Sequence, residues 1–552
     1  VPASPSELRK HVDFRLACLK TERASYEPHW ADISKLMKPR TSRFLLGARD
    51  MARNRGGKRN DKVHDSHAIQ AAKITQNGMA SGLLSASRPW FQLEPEDIGM
   101  VEWGPVKHWI DDFERRMYDF LSGTNIYEAA KSCLGELALF GTTACLLLAS
   151  NRMGMTAHAL TVGEYWLGLD DDGQVDTLYR MVEMTVKQIV DRFGIDAASD
   201  HVRSLYRSKQ YDQSVVTIHA IEPNWQAEPG KLDARNKPWL SVWFEEGAPQ
   251  DRLLSVSGYS RKPFFAARWE TFGNDVYGSA PGMDVLPDVQ QLMLNAINRM
   301  QLREMLRRPP MGLPPALQVA GQFPNLAPGT IIPVGPQDTG ARPLFEVRPE
   351  AMNALLQEAT ELRTSIDRGL FTDLFMAITR MEGVQPRNVE EISSRNAEKM
   401  TQLGPVVERV FNEMLKPIVD RTGDIMADYG LVPPPPEDLA ESELKVKFTS
   451  ILAVLQQQMG LGSIERTLSF IGNLAGIWPQ IVDKIDADQA VDEYAKMAGT
   501  PAAVVRTDED VEAMRAERQQ MDQIAQMAAL APGAKAGAEA ASLLADLRSR
   551  AA

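Results

Sequence analysis

The chain has 552 residues, 44% apolar and 24% charged, a length that exceeds one hydrophobic core and a composition that excludes wholesale disorder. Its net charge of -12 excludes a protein that grips nucleic acid through a large basic surplus, so any DNA contact is expected to be local or sliding. Three cysteines, Cys18, Cys133 and Cys145, form neither a CxxC pair nor an even framework, which excludes a zinc or disulfide scaffold and fits a reducing compartment.

The longest nearly unbroken apolar run, Leu137 to Ala149, contains Gly141 and Thr142 and falls short of the ~18 residues that span a bilayer, so no membrane partner is expected. Glu7, Arg9, Lys10, His11 and Asp13 stand where a secretory signal would be apolar, so export by that route is not expected. Residues 5–37 read as helix on Leu8, Leu16, Leu19, Ile33 and Leu36, ended near Pro39. Residues 38–62 carry nine Lys or Arg, Lys58 and Arg59 among them, with a Gly56-Gly57 pair. This mobile basic segment is either a solvated loop or a contact for DNA or an acidic neighbour.

Helical spacing returns over Ser66 to Ser85 and over Val106 to Phe140, where Gly141 ends it and strand-like Thr142 to Leu148 follows. Residues 155–270 change period. Short β-branched or alternating runs (Asp176 to Met184, Val215 to Ile221, Leu240 to Glu245, Phe264 to Trp269) are separated by turns, with one helix near Val186 to Phe193. Residues 283–308 place Leu286, Val289, Met293, Ile297 and Met300 on one helical face, and Arg299, Arg303 and Arg307 on another. Pro309-Pro310 stops that helix. Residues 309–349 are rich in Pro and Gly, with short strands expected near Thr330 to Val334 and Leu344 to Val347. A second helix returns on Leu355, Ala359, Leu362, Ile366 and Leu370, completing a helix, tip and helix hairpin.

A polar loop, Thr379 to Arg387, leads to a long helix begun by the capping-box spacing of Asn388 and Glu391, with a kink expected at Gly404-Pro405. Pro433 to Pro436 form a stiff spacer before a mostly helical C-terminal region, Ala- and Gln-rich from about Asp508.

No enzyme chemistry and no cofactor are expected. Gly56-Gly57-Lys58-Arg59 lacks the hydroxyl, strand and helix of a phosphate loop. The run His64, Asp65, Ser66, His67 holds triad residue types, but consecutive side chains diverge and cannot relay a proton among themselves, and the same holds for metal binding. Asp170-Asp171-Asp172-Gly173 suggests a calcium loop until Gly173 is set at its sixth position, which puts Gly168 first and Tyr179 twelfth; a β-turn fits instead.

Four segments in order, ASGLLSASRPWFQLEPED (80–97), NIYEAAKSCLGELALFGTTACLLL (125–148), FFAARWETFGNDVYGSAPGMDVLPDVQQL (264–292) and LGPVVERVFNEMLKPIVDRTGDIMADYGLVPPPPEDL (403–439), resemble the head-to-tail connecting, or portal, proteins of short-tailed phages. The resemblance covers residues 5 to about 460 and is least over the last hundred. It implies an α+β, mainly helical portal fold assembled as a twelve-subunit ring at one capsid vertex of the virion, built in the host cytoplasm. Double-stranded DNA would be driven in by a separate terminase and later released through the same channel. Its divisions would be a helical wing part (1–155), a β-rich wing (156–272), a first stem helix (273–308), a clip (309–349), a second stem helix (350–376), a tunnel loop (377–388), further wing helices (389–432) and a crown (433–552). The family's tunnel loop falls on Arg380, Glu382 and Arg387, which would face DNA, or cap helix ends and pair with Glu390 and Glu391. Arg299, Arg303 and Arg307 would line a surface near DNA, or complement the negative end of their helix and pair between subunits. The implied partners are further copies, double-stranded DNA, the terminase large subunit, a tail adaptor or tail tube protein, and the major capsid and scaffolding proteins. A nucleic-acid-processing enzyme would need a metal or nucleotide site that the sequence lacks, and a smaller adaptor or internal scaffold would not account for the central hairpin.

Overall fold

The N-terminal helical run divides at Ser25-Tyr26 into α1 (Pro5–Ala24) and α2 (Glu27–Leu36). Pro28, in the first turn of α2, has no N–H to continue the α1 ladder but fits a new helix start. In this computed structural model the described residues are 5–45, 56–96, 104–225, 236–249, 252–313, 331–333, 342–343, 349–380, 403–436, 444–450 and 514–523, with isolated positions elsewhere. Two compact units divide the chain: residues 1–94, 109–435 and 444–453 form the first, and residues 95–108, 436–443 and 454–552 the second. In the second, residues 514–523 are helical, and most of the region expected to form a crown lies outside the described residues.

In chain order α3 (His67–Leu83) is followed by β1 (Phe91–Pro95), α4 (Gly104–Ser122) and α5 (Ile126–Phe140). The single helix expected over 106–140 is thus two, parted at Gly123 to Asn125. The Asn125 side chain turns outward to pair with strand β3 (Gly154–Leu160), accepting from the Ala157 N–H at 2.9 Å and donating to its carbonyl at 2.8 Å. Gly141 closes α5 in the left-handed region (φ 76) and starts β2 (Thr142–Ser150).

The β-rich stretch contains β4 (Tyr165–Leu169), β5 (Val175–Thr185), α6 (Val186–Phe193), α7 (Asp200–Arg207), β6 (Ser214–Pro223), β7 (Trp239–Glu245), β8 (Ser255–Tyr259) and β9 (Phe264–Arg268). Strands β4 to β8 form an antiparallel five-stranded sheet in sequence order, while β3, β2 and β9 form a second sheet in that order. Asp170 to Gly173 form the β4–β5 turn, with the Asp170 carboxylate accepting from Asp172 and Gln174 N–H groups and Gly173 at φ 75. One face of the five-stranded sheet carries Tyr179, Ile218, Ala220, Val242 and Phe244 under α1; the other presents Leu178 and Ile221 to the main core. Trp30 anchors that core, its indole N–H bonded to the Phe140 carbonyl at 3.1 Å, beside Tyr277, whose hydroxyl accepts from the Leu167 N–H.

The hairpin follows: α8 (Pro281–Asp284), α9 (Leu286–Arg307), β10 (Met311–Leu313), β11 (Ile331–Pro333), β12 (Arg342–Pro343) and α10 (Pro349–Gly369). The tip sheet has the order β11-β10-β12, with β10 a strand the sequence pattern did not reveal. The second expected strand lies at 342–343, earlier than Leu344 to Val347, which fall outside the described residues. Helix α11 (Thr372–Arg380) follows an elbow at Phe371, whose φ of 55 is rare for a side chain of that bulk.

Residues 403–410 are helical, Phe411–Leu415 form a π-turn, and α12 (Lys416–Asp428) continues the run. The observed irregularity begins six residues after Pro405; Gly404 and Pro405 occupy the first described turn, and the turn before them, which the expected kink would join, lies outside the described residues. Pro417 explains it: with no N–H to donate to residue 413, and a ring that crowds that turn, the ladder widens and Lys416 N–H bonds Phe411 instead. Strand β13 (Leu444–Phe448) pairs with β1. On its α4 side, β1 is held by the Tyr118 hydroxyl, which takes the Trp90 and Phe91 N–H groups, and by Glu114, which takes that of Leu93. Burial, with Asp111 and Glu94 adding, pushes Glu114 up to about 7 against that hydrogen bond.

Candidate functional site: the hairpin and its root

Helices α9 and α10 are antiparallel and tied by polar groups. Glu358 accepts from Gln291 and Asn295, each at 2.8 Å, and Ser365 donates to Asp288 at 2.6 Å. Burial on α9 stops early. Leu286, Val289, Leu292, Met293 and Asn295 are buried, whereas Met300 and Leu306 beyond them are 55% and 46% exposed. The apolar row read from the sequence is core near the root and open surface toward the tip.

The root is gripped by the segment His64 to His67. Asp65 accepts from Arg363 of α10 at 2.7 Å and from the His67 N–H at 2.9 Å, and Arg299 of α9 approaches the same carboxylate at 3.8 Å. Met293 sulfur receives the His64 and Asp65 N–H groups, and His67 Nε2 stands 3.1 Å from Asp367. His64, Asp65 and His67 thus bridge both helices. Burial alone would raise the Asp65 carboxyl, but the Arg363 hydrogen bond, the His67 N–H and the nearby positive charge outweigh it and hold the group below the usual aspartate range.

One prediction follows from that balance. Asp65→Asn should destabilise the protein by about 1–3 kcal/mol at neutral pH, by leaving two guanidinium groups at the root short of an anion. A group depressed on folding contributes fully above its unfolded value, ~3.9, and loses that contribution as pH falls through its folded value. Urea midpoints of the two proteins should therefore stay apart at neutral pH and converge below about pH 4; a gap independent of pH would disprove the assignment.

Three further contacts hold the elbow and the π-turn. Thr75 of α3 donates to the Leu370 carbonyl at 2.7 Å, and Gly78 lies so close to Phe375 that an added Cβ would be 2.9 Å from its Cα. Arg268 of β9 bonds Glu413 in the π-turn through its guanidinium and its own N–H, both at 2.8 Å, and the two side chains are only 5% and 10% exposed.

Of the residues singled out from the sequence, Arg299 belongs to the root. Arg303 is exposed, and Arg307, also exposed, pairs with Glu304 at 3.2 Å near its helix end. Lys58 is exposed and Arg59 half-buried. Arg380 ends α11, so residues 377–380 are helical where a loop was expected; Glu382 and Arg387, with the rest of that loop and the Asn388–Glu391 cap, lie outside the described residues. The sequence missed Asp65, Arg363, His67, Glu413 and Arg268 as structural determinants. Among the described residues no group of His, Cys, Asp and Glu could hold a metal ion, and no helix is long and apolar enough to cross a membrane.

Residues 9–505 match the family model described as bacteriophage head to tail connecting protein. The chain is 37% identical over 528 residues to a portal protein of Salmonella phage epsilon15, covering 95% of this chain and 94% of that one. It is 35% identical over 525 residues to a probable portal protein of Bordetella phage BPP-1, covering 95% and 93%. A solved chain described as the neck of an empty GTA particle computed with C6 symmetry aligns over 82% of this chain and 95% of its own, at 12% identity and a TM-score of 0.30. With a family match across most of its length and relatives similar almost end to end, this chain belongs to the bacteriophage head to tail connecting proteins.

Proposed function

We propose that the protein is the subunit of the portal channel at the junction of phage head and tail. It is a structural connector, not an enzyme. A ring of copies at one capsid vertex passes double-stranded DNA inward under the terminase large subunit and outward at ejection, and carries the tail adaptor or tail tube. The observation that carries this reading is the continuity of the similarity to portal proteins over 528 residues, which takes in the hairpin as well as the sheets. The exposure of Met300 and Leu306 supports it, because a hairpin whose apolar row is open in one subunit is suited to burial between neighbours in a ring.

In this arrangement α9 and α10 are the stem, the small sheet between them the clip, and the five-stranded sheet with α1 the wing, contacting the major capsid and scaffolding proteins. The segment after Arg380, with Glu382 and Arg387, is the tunnel loop facing DNA. Arg303, Arg307, Lys58 and Arg59 are the further basic groups that would meet DNA or an acidic neighbour. Electron microscopy of the purified chain, with its mass in solution, tests the whole reading. Closed rings of twelve copies or near that number, with an axial opening wide enough for duplex DNA, are the expected result. A monomer or dimer under all conditions, without a channel, would refute it.

A further inference from the structure

The edge of a β-sheet offers a row of backbone N–H and C=O groups to any passing strand, and folded chains blunt such rows with side chains, charges, bulges or proline. The two larger sheets have four edges, β4 and β8 in the five-stranded sheet and β3 and β9 in the other. Three of them are engaged by side chains. At β4, Arg23 donates to the Tyr165 carbonyl at 2.7 Å, and the Tyr277 hydroxyl accepts from the Leu167 N–H at 3.0 Å. At β3, Asn125 takes both backbone groups of Ala157. At β9, Glu413 accepts from the Arg268 N–H at 2.8 Å.

The β8 edge differs. The Glu246 N–H bonds the Val216 carbonyl, which marks Thr217 and Glu245 as a pair that exchanges no hydrogen bonds of its own. Alternation along β7 then turns the backbone groups of Ser241 and Trp243 toward β8, where they meet Ser257 and Ser255. Val256 and Gly258, between and beyond these, turn their N–H and C=O groups outward. Among the described residues no side chain and no strand takes those groups. The strand reads Ser-Val-Ser-Gly-Tyr, with no charge, no proline and an unbroken register against β7, and all five residues are half-buried.

We propose that β8 is a docking edge, on which an extended segment of another protein, acidic at its ends, lies as a sixth strand of the sheet. In this mode main-chain hydrogen bonds give affinity, and the groups flanking the edge choose the partner. Cations stand at both ends: Arg252 before the strand, and after it Arg261, whose side chain is 70% exposed and pairs with Asp424 at 2.6 Å. Residues 252–262 hold no carboxylate, in a chain whose net charge is -12. The same arginines argue against a second copy of this edge. Two β8 strands paired about a two-fold axis would bring the Arg252 end of each against the Arg261 end of the other, like charge on like.

Hydrogen exchange of the full chain, read by mass spectrometry, tests the edge without any substitution. The amides of Val256 and Gly258 should exchange faster than those of Ser255 and Ser257 by roughly tenfold or more. A fluorescein-labelled peptide, Asp-Val-Thr-Val-Thr-Asp, serves as the probe and should slow those two amides selectively. Its binding, followed by anisotropy, should weaken by about tenfold in Val256→Pro, which removes an outward donor at a position where an edge strand accepts proline. The same peptide with lysine in place of both aspartates should bind more weakly than the acidic one. Equal protection of all four amides in the free chain would overturn the proposal, as would an acidic probe that fails to bind or that binds Val256→Pro as it binds the unmodified chain. Equal binding of the two peptides would overturn the acidic partner. Protection of Val256 and Gly258 on self-assembly alone would give the edge to a second copy, and so overturn it too.

Discussion

Gly141→Ala is expected to cost the subunit about 4 kcal/mol or more, among the largest effects of any single substitution. Gly141 has φ 76, and a Cβ there would lie 2.0 Å from the Gly278 carbonyl oxygen and 2.5 Å from its carbonyl carbon. Neither atom belongs to a side chain that could turn aside. The two backbones are fixed against each other, since Trp269 N–H bonds the Gly141 carbonyl at 2.9 Å and Gly278 N–H bonds the Thr142 hydroxyl at 2.8 Å. The comparison with Gly173→Ala separates the causes. Gly173 has φ 75 but nothing within 4 Å of the added carbon, so that variant should lose only the ~1–2 kcal/mol of a left-handed residue. Urea denaturation of both variants measures the difference; equal midpoints would mean that the close approach of residues 141 and 278 is not rigid.

Glu413→Gln should destabilise the protein by about 3–5 kcal/mol, because it leaves the Arg268 guanidinium buried beside a neutral amide. The Arg268→Met, Glu413→Leu pair should recover a large part of that loss, since two apolar groups carry no uncompensated charge. Recovery should stay incomplete, because Arg268 also donates to the Gly173 and Asp275 carbonyls at 3.0 and 3.3 Å. A double-mutant cycle by thermal unfolding reads both effects. A Glu413→Gln protein that melts with the wild type would show that the π-turn is not held by this pair.

Elements with a local cause were legible in the sequence. Val186 to Phe193 is helical over the expected residues because Thr185 and Gln188 close a capping box at its start, and Gly141 ends α5 because the turn needs a positive φ. The hairpin was legible too, from two apolar rows with Pro309-Pro310 between. Features with a distant cause were not. Asn125 interrupts a helical pattern to satisfy Ala157 on β3, and α7 is too short and polar to show a stripe, though Ser199 caps it and Glu245 holds Ser199. Asp65 and Arg363 meet across 298 positions of chain. For the same reason Arg299, Arg303 and Arg307 looked equivalent: only Arg299 lies level with the 64–67 segment.

The pairing of β1 with β13 has a consequence in time. The partner of residues 91–95 is made only when residue 444 has been added, a wait of roughly 20–70 s at ~5–20 residues per second of synthesis. Throughout that interval Trp90 and Phe91 lack the strand that completes their sheet, and an unpaired apolar edge invites the wrong neighbour. Tyr118 and Glu114 arrive within the next thirty residues and already occupy three backbone N–H groups of the 90–93 segment. They can serve as a temporary guard on the newborn chain, keeping one edge engaged until the distant strand emerges.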